Sequence, residues 1–282
     1  MKRKKILFII VDLEIGGAQN ALVRHISLIN SKIFEIAVVN LTGNGELNLK
    51  LIDMNIELYN ANFSKKIGVV ARLFKLYKYI KTYSPDIIHT WMYHSDLIGG
   101  LLGKLTGTQK IIWGVRSADF LNKKTNFSLK AVFRACSLTS RYIPDTIIFN
   151  SRKGEDFHTK KGYKCANVKV IPNWVDCNIF KPSNNCRRIL RNSLNCGDQI
   201  ILIGLVARFD QLKNHYGFIE FAEQISSRNK YFRFVMIGDG ILDNLELKNE
   251  LKIRSLHKKF YLMASNTEIQ KVIAGLDATI IT

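Results

Sequence analysis

Proline is scarce, with four residues in 282, and no glycine-serine stretch or low-complexity run interrupts the chain. No long disordered linker is therefore expected. Long apolar runs are missing too, which excludes a helix of the roughly 18 or more apolar residues that a bilayer crossing needs. The opening Met1-Lys2-Arg3-Lys4-Lys5 followed by Ile6 to Val11 imitates a secretory leader. Its apolar part is too short and meets Asp12 and Glu14 without a small-residue cleavage site, so it reads as a buried first strand. The five cysteines (Cys136, Cys165, Cys177, Cys186, Cys196) are scattered, with no Cys-x-x-Cys pair and no histidine at ligand spacing. That pattern excludes a disulfide scaffold and a structural zinc, and fits reduced thiols in the cytoplasm. Acidic residues are few, 23 Asp and Glu against 42 Lys and Arg, a formal net charge of +19. A chain so basic calls for an acidic partner: nucleic acid, anionic lipid or a phosphorylated substrate.

What is present is a rhythm. Short β-branched runs, Ile6 to Val11, Ile36 to Leu41, Ile56 to Tyr59, Ile87 to Thr90, Lys110 to Val115, Thr146 to Asn150 and Val168 to Ile171, are separated by amphipathic stretches. Continuous Ile/Val runs joined by helical patterns predict a parallel, doubly wound sheet covered by helices on both faces. After Pro172, Pro182 and the polar Ser183 to Asn185 the pattern restarts at Gln199 to Val206, Phe232 to Ile237, Phe260 to Met263 and Ala278 to Ile281. Helices are predicted near Lys213 to Ser227, Ile241 to Arg254 and Glu268 to Leu276. The expected organisation is an α/β protein of two facing Rossmann-like units, residues 1–183 and 184–282, with ligands at the carboxyl ends of the strands. The last predicted strand runs to the end of the sequence, so the second unit is expected to be incomplete. Residues 65–82 form a basic amphipathic helix, Val70, Leu73, Phe74, Tyr77 and Ile80 on one stripe and Arg72, Lys75, Lys78 and Lys81 on another. That helix reads either as a solvated face over a core stripe or as a surface for an anionic leaflet.

The strand ends carry the chemistry. Asp12-Leu13-Glu14-Ile15-Gly16-Gly17 lacks the Gly-x-Gly-x-x-Gly of nicotinamide enzymes. Its glycine pair still allows backbone N–H groups and a helix N-terminus to approach a phosphate or sugar oxygen, unless it is simply a tight turn. His89-Thr90-Trp91-Met92-Tyr93-His94-Ser95-Asp96 places two histidines and an aspartate at the end of the fourth strand, where open α/β sheets carry catalytic groups; His94, with His89, is the candidate contact to the reacting substrate. Arg116, ending the fifth strand, offers a planar cation to an anionic or hydroxyl-rich ligand, or an ion pair to Asp119. Asn173 lies in Ile171-Pro172-Asn173-Trp174, a candidate cleft residue in what is otherwise a rigid turn. In the second unit Arg208 and Lys213 flank a helix start, an arrangement that can neutralise a departing diphosphate without a metal. Gly238-Asp239-Gly240 ends the next strand with glycines that permit close backbone approach.

Together Gly16-Gly17, HTWMYH at 89–94, WGVRS at 113–117, FNS at 149–151, IPNWVD at 171–176, VARFDQLKN at 206–214 and IGDG at 237–240 resemble the family 4 glycosyltransferases. The resemblance runs the length of the chain. It implies a GT-B fold, a nucleoside-diphosphate sugar as donor and retention of anomeric configuration. By that likeness Arg208 and Lys213 bind the donor diphosphate, and Gly16 and Gly17 form a loop beside the donor. Gly238, Asp239 and Gly240 lie near the nucleotide, and Met263 and Ala264 meet the base through backbone groups. No metal and no cofactor are implied, in keeping with the absence of any Asp-x-Asp. Two departures stand out. Trp91 occupies the place of the second histidine in the relatives' His-x-His, and the sequence stops before the pair of glutamates, seven residues apart, that the relatives carry. A C-terminally truncated, weakly active or inactive chain is therefore an expectation.

The function so implied is sugar transfer to a cell-surface glycan or lipid-linked acceptor, in the cytoplasm or peripherally on the inner face of the plasma membrane. The alternatives are a truncated remnant or nucleotide-sugar-binding subunit without catalysis, and a sugar-nucleotide epimerase of similar shape. A nucleic-acid partner is not expected, because no recognition motif or aromatic-basic platform is present.

Overall fold

The structure, a computed structural model, describes residues 3–64, 68–117, 126–265 and 268–281. The chain divides into two compact units, Met1–Asn173 and Trp174–Thr282.

Among the described residues of the first unit seven strands, β1 (Lys4–Ile10), β2 (Phe34–Asn40), β3 (Glu57–Asn60), β4 (Ile87–Trp91), β5 (Lys110–Val115), β6 (Thr146–Phe149) and β7 (Val168–Val170), alternate with six helices. The helices are α1 (Gly17–Leu28), α2 (Leu47–Asp53), α3 (Val69–Tyr83), α4 (Tyr93–Thr106), α5 (Phe127–Thr139) and α6 (Arg152–Lys160). All strand pairs are parallel, in the order β3-β2-β1-β4-β5-β6-β7. The order reverses between β1 and β4, with Ile10 opposite Trp91, and this is the point where open sheets of this kind bind ligands.

Alternation along β1 builds the two layers. Ile6, Phe8 and Ile10 face α1 and α2, packed with Leu22, Ile26 and Leu51. Leu7 and Ile9 face α3 and α4, packed with Leu76, Ile80 and Leu102. Farther along the same layer Trp113, Phe133 and Phe149 join α4, α5 and α6.

One helix presents a different face from the predicted one. The core side of α3 is Leu76, Ile80 and Tyr83, whereas Val70 and Phe74 are 80% and 56% exposed. Two apolar stripes overlap on this helix, and only the one that continues into Tyr83 reaches the sheet. Lys65 and Lys66 lie outside the described residues.

The second unit contains α7 (Asn184–Ser193), β8 (Ile201–Val206), α8 (His215–Ser226), β9 (Phe232–Ile237), α9 (Leu245–Ile253), β10 (Phe260–Met263), α10 (Ile269–Gly275) and β11 (Ala278–Thr279). Its strands are again parallel, in the order β10-β9-β8-β11, with the reversal between β8 and β11. Where the sequence suggested only a polar stretch, α7 begins at the Ser183 cap, whose hydroxyl accepts from the Cys186 N–H. Its Arg191 is buried, donating to the Gly197 and Ile200 carbonyls and to Asp277 at 2.7 Å. A buried cation is tolerated only when paired in this way, and the pair ties α7 to the end of α10.

Candidate active site

In the first unit the candidate residues gather at the β1/β4 switch point and beside it. Gly16 caps α1 in extended conformation with no side chain satisfying the helix's first N–H groups, and Gly17 has open space where a Cβ would sit. Gln19 reaches back to Asp12 at 2.7 Å, which fixes the loop. The bend into α4 is strained. Met92 has φ +76°, a left-handed value that costs a non-glycine residue energy, and it sits between the two candidate histidines.

That strain separates the histidines by environment. His89 packs among Phe8, His25 and Trp91, and burial, aided by His25 and Arg116, pushes its pKa down to about 3; the ring is neutral at physiological pH. His94, in the first turn of α4, is half-buried, its pKa lowered by burial, and makes no hydrogen bond among the described residues. It is the more available proton acceptor of the two. Burial also lowers the pKa of His25.

Beside them lies a buried ion group built on the aspartate of the same strand-end segment. Asp96 is fully buried on α4, and burial raises its carboxyl to about 7 although Thr90 Oγ1 donates to it at 2.5 Å and Arg116 opposes the shift. Arg116 stacks 3.6 Å above the ring of Trp91, and burial lowers its pKa to about 10. Asp96 Oδ2, Ser95 Oγ, Arg116 Nε and Asn150 Oδ1 are buried without a hydrogen-bond partner among the described residues. Buried polar groups in that state form strong interactions with whatever polar ligand reaches them. The alternative partner suggested for Arg116, Asp119, lies outside the described residues. Asn173 is exposed at the end of the unit.

In the second unit the candidates meet at the ends of β8, β9 and β10. The Ala207 and Phe209 N–H groups donate to Ile237 and Asp239, and the Gly238 N–H donates to Met263. Three strand-end loops are thus laced through backbone. Gly238 (φ +157°) is required here because a Cβ would run into the Ala207 carbonyl. Asp239, Gly240 and Arg208 are exposed, and Met263 and Ala264 are partly buried. Arg208 contacts Asp210 at 3.2 Å, a solvent-exposed pair of small worth that an anionic ligand can displace. The Leu212 N–H and Arg208 hold the Asp210 carboxyl below its usual range. Lys213 closes the short 3-10 turn Gln211–Lys213, and Asn214 caps α8 by accepting from the Gly217 N–H.

Among the described residues no group of His, Cys, Asp and Glu is arranged to hold a metal ion, and no helix is long and apolar enough to cross a membrane.

Comparison with known proteins converges. A family profile described as Glycosyltransferase Family 4 matches residues 15–179. A curated relative, the Escherichia coli UDP-Gal:alpha-D-GlcNAc-diphosphoundecaprenol alpha-1,3-galactosyltransferase, is 23% identical over 278 residues, covering 95% of this chain and 70% of the relative. Among solved structures, Anabaena HepE in complex with UDP-glucose superposes with a TM-score of 0.78 at 17% identity, over 99% of this chain and 73% of that one. A glycosyltransferase from Rickettsia africae gives 0.75 at 18% identity, over 100% and 73%.

Proposed function

Since this chain belongs to Glycosyltransferase Family 4, we propose that it transfers a hexose from a UDP-sugar to a lipid-linked acceptor of cell-surface polysaccharide synthesis, with retention of configuration and without a metal. The observation that carries this reading is the exposed Arg208, with Lys213 on the following turn, above three backbone-laced strand ends of the second unit. In this role Arg208 and Lys213 take the donor diphosphate and offset the charge that develops as it leaves. Gly238, Asp239 and Gly240 line the nucleotide, and the Met263–Ala264 backbone meets the base. The E. coli relative acts with UDP-Gal on a diphosphoundecaprenol-linked sugar, and HepE binds UDP-glucose; both favour uridine as the base and a lipid-borne acceptor.

In the first unit the neutral His94, in the first turn of α4 after the strained Met92, serves as the polar contact to the reacting sugar or acceptor hydroxyl. His89 backs the site from within the core. Arg116, stacked on Trp91 and charged at neutral pH, meets an oxygen-rich or anionic portion of the substrates. Gly16 and Gly17 present the open N–H groups of α1 to the donor. A lipid-linked acceptor places the enzyme peripherally on the cytoplasmic face of the plasma membrane.

The test is incubation with UDP-[14C]hexose and a prenyl-diphosphate-linked sugar. Label in the lipid phase, dependent on acceptor, is the expected result. Conversion of the donor without acceptor would instead mark an epimerase, and donor binding without turnover a binding subunit.

A further inference from the structure

We infer that Asn40, a fully buried amide at the end of β2, is the positioning residue for the Gly16–Gly17 loop, which it holds through the backbone of the β2–α2 connection. This deepens the reading above and rests on it for the donor's part in that loop.

Asn40 closes β2 opposite Ile10 of β1 and Asn60 of β3, beside the strand that ends at the switch point. An amide buried from water has to meet two N–H donors and the lone pairs of its oxygen within the protein. Asn40 meets them all in its own loop. Its Nδ2 donates to the Asn44 carbonyl at 2.8 Å and to Asn48 Oδ1 at 3.0 Å. Its Oδ1 accepts from the Gly43 N–H at 3.0 Å and from the Thr42 hydroxyl at 3.3 Å. Asn48 in turn donates to the Gly43 carbonyl at 3.2 Å. Residues 42–48 are therefore wound around one side chain.

That winding is fastened to the loop after β1. The Asn44 carbonyl that accepts from Asn40 also accepts from the Leu13 N–H at 3.1 Å, and the Leu47 N–H donates to the Leu13 carbonyl at 3.0 Å. The Thr42 N–H donates to the Val11 carbonyl at 2.9 Å. The two backbones run so close that Gly45, at φ +127°, has no room for a Cβ, which would meet the backbone of Leu13. From Leu13 the path to the glycine pair is short: Asp12 Oδ1 accepts from the Glu14 N–H at 3.2 Å and from the Gln19 side chain at 2.7 Å, on either side of Gly16 and Gly17. The glycines bring no side chain of their own to hold the loop, so its place is set by Leu13 and, through the shared Asn44 carbonyl, by Asn40. Such placement matters to a reacting group, because a displacement of about 1 Å can cost on the order of a hundredfold in rate.

Two variants test this from opposite sides. Asn40→Asp keeps the shape of the side chain and turns lone pairs, in place of N–H donors, towards the Asn44 and Asn48 oxygens. Gly45→Ala leaves Asn40 intact and pushes the connection off Leu13. In both, amide exchange over residues 11–19 of the full chain, read by mass spectrometry, should quicken about tenfold or more. In both, KM for the UDP-hexose should rise about tenfold while the dissociation constant of UDP, read by calorimetry at full stoichiometry, stays within about twofold. Asn55→Gly at the far end of α2, where φ +56° suits glycine, should leave exchange and KM close to wild type. Exchange over 11–19 unchanged in Gly45→Ala, exchange quickened equally in Asn55→Gly, or a lowered binding stoichiometry with KM unaltered, the mark of a merely structural role, would overturn the inference. If the unmodified chain transfers no sugar, the proposed function falls, and exchange over 11–19 still decides whether Asn40 holds the loop.

Discussion

The two candidate sites both sit at strand ends of parallel sheets, one at the β1/β4 reversal and the other at the ends of β8, β9 and β10, yet they are built from opposite materials. In the first unit the ionisable groups are buried: Asp96 raised to about 7, His89 lowered to about 3, Arg116 pressed onto Trp91. In the second unit the cation Arg208 stands in solvent and the framework is backbone, with the β8, β9 and β10 ends joined through N–H···O bonds around Gly238. Burial makes each charge in the first site costly and strongly coupled to its neighbours, whereas solvent screens the second and leaves Arg208 free to exchange partners. A site that must discriminate and react gains from the first construction. A site that must bind and release a diphosphate gains from the second.

The largest effect expected from this contrast is on stability against pH. Asp96, raised from 3.8 to about 7, contributes stability that is complete below about pH 4 and is lost as pH rises towards 7. His89, lowered from 6.5 to about 3, contributes stability present above about pH 6.5 and lost as pH falls. The two oppose each other over the shared window. Asp96→Asn should therefore leave a protein that weakens on acidification, and His89→Gln one that strengthens, each by up to about 4 kcal/mol between pH 7 and 4. Urea midpoints as a function of pH check this; equal profiles for the two variants would remove the buried-charge account of the first site.

Next in size is the backbone framework of the second site. Gly238→Ala forces a Cβ into the Ala207 carbonyl and should cost on the order of 3 kcal/mol, read as a lowered unfolding midpoint of the second unit. A smaller effect is expected at the stack. Arg116→Lys keeps the charge and loses the planar contact with Trp91, and should lower kcat/KM for sugar transfer about tenfold, with the UDP dissociation constant unchanged.

Much of the fold is legible in the sequence because parallel strands buried on both faces show as uninterrupted Ile/Val runs: β5, β9 and β10 fall where Lys110 to Val115, Phe232 to Ile237 and Phe260 to Met263 predict them. The helix α7 escaped because its buried side chains are a single leucine, Leu190, and the charged Arg191; the Ser183 cap is the signal that was available. On α3 two apolar stripes overlap, and periodicity cannot say which one meets the sheet until Tyr83 is seen to continue the buried set. In the first site the strand-end histidines and Arg116 were legible by position. Asp96 was legible as the aspartate of the same strand-end segment, but its full burial was not, since an acid in the first turn of a helix ordinarily reads as a solvent-facing partner of the dipole. The strain at Met92 has no residue-type signature, for nothing in a methionine announces a positive φ.

The division of labour between the two sites is tested most directly by calorimetric titration of UDP into Arg208→Ala and Arg116→Ala. Loss of a charge-assisted contact to the diphosphate should weaken UDP binding by Arg208→Ala about ten- to a hundredfold, and Arg116→Ala should leave it within about twofold of the unmodified chain. The reverse pattern, UDP affinity lost with Arg116 and kept without Arg208, would contradict the assignment of the nucleotide to the second unit.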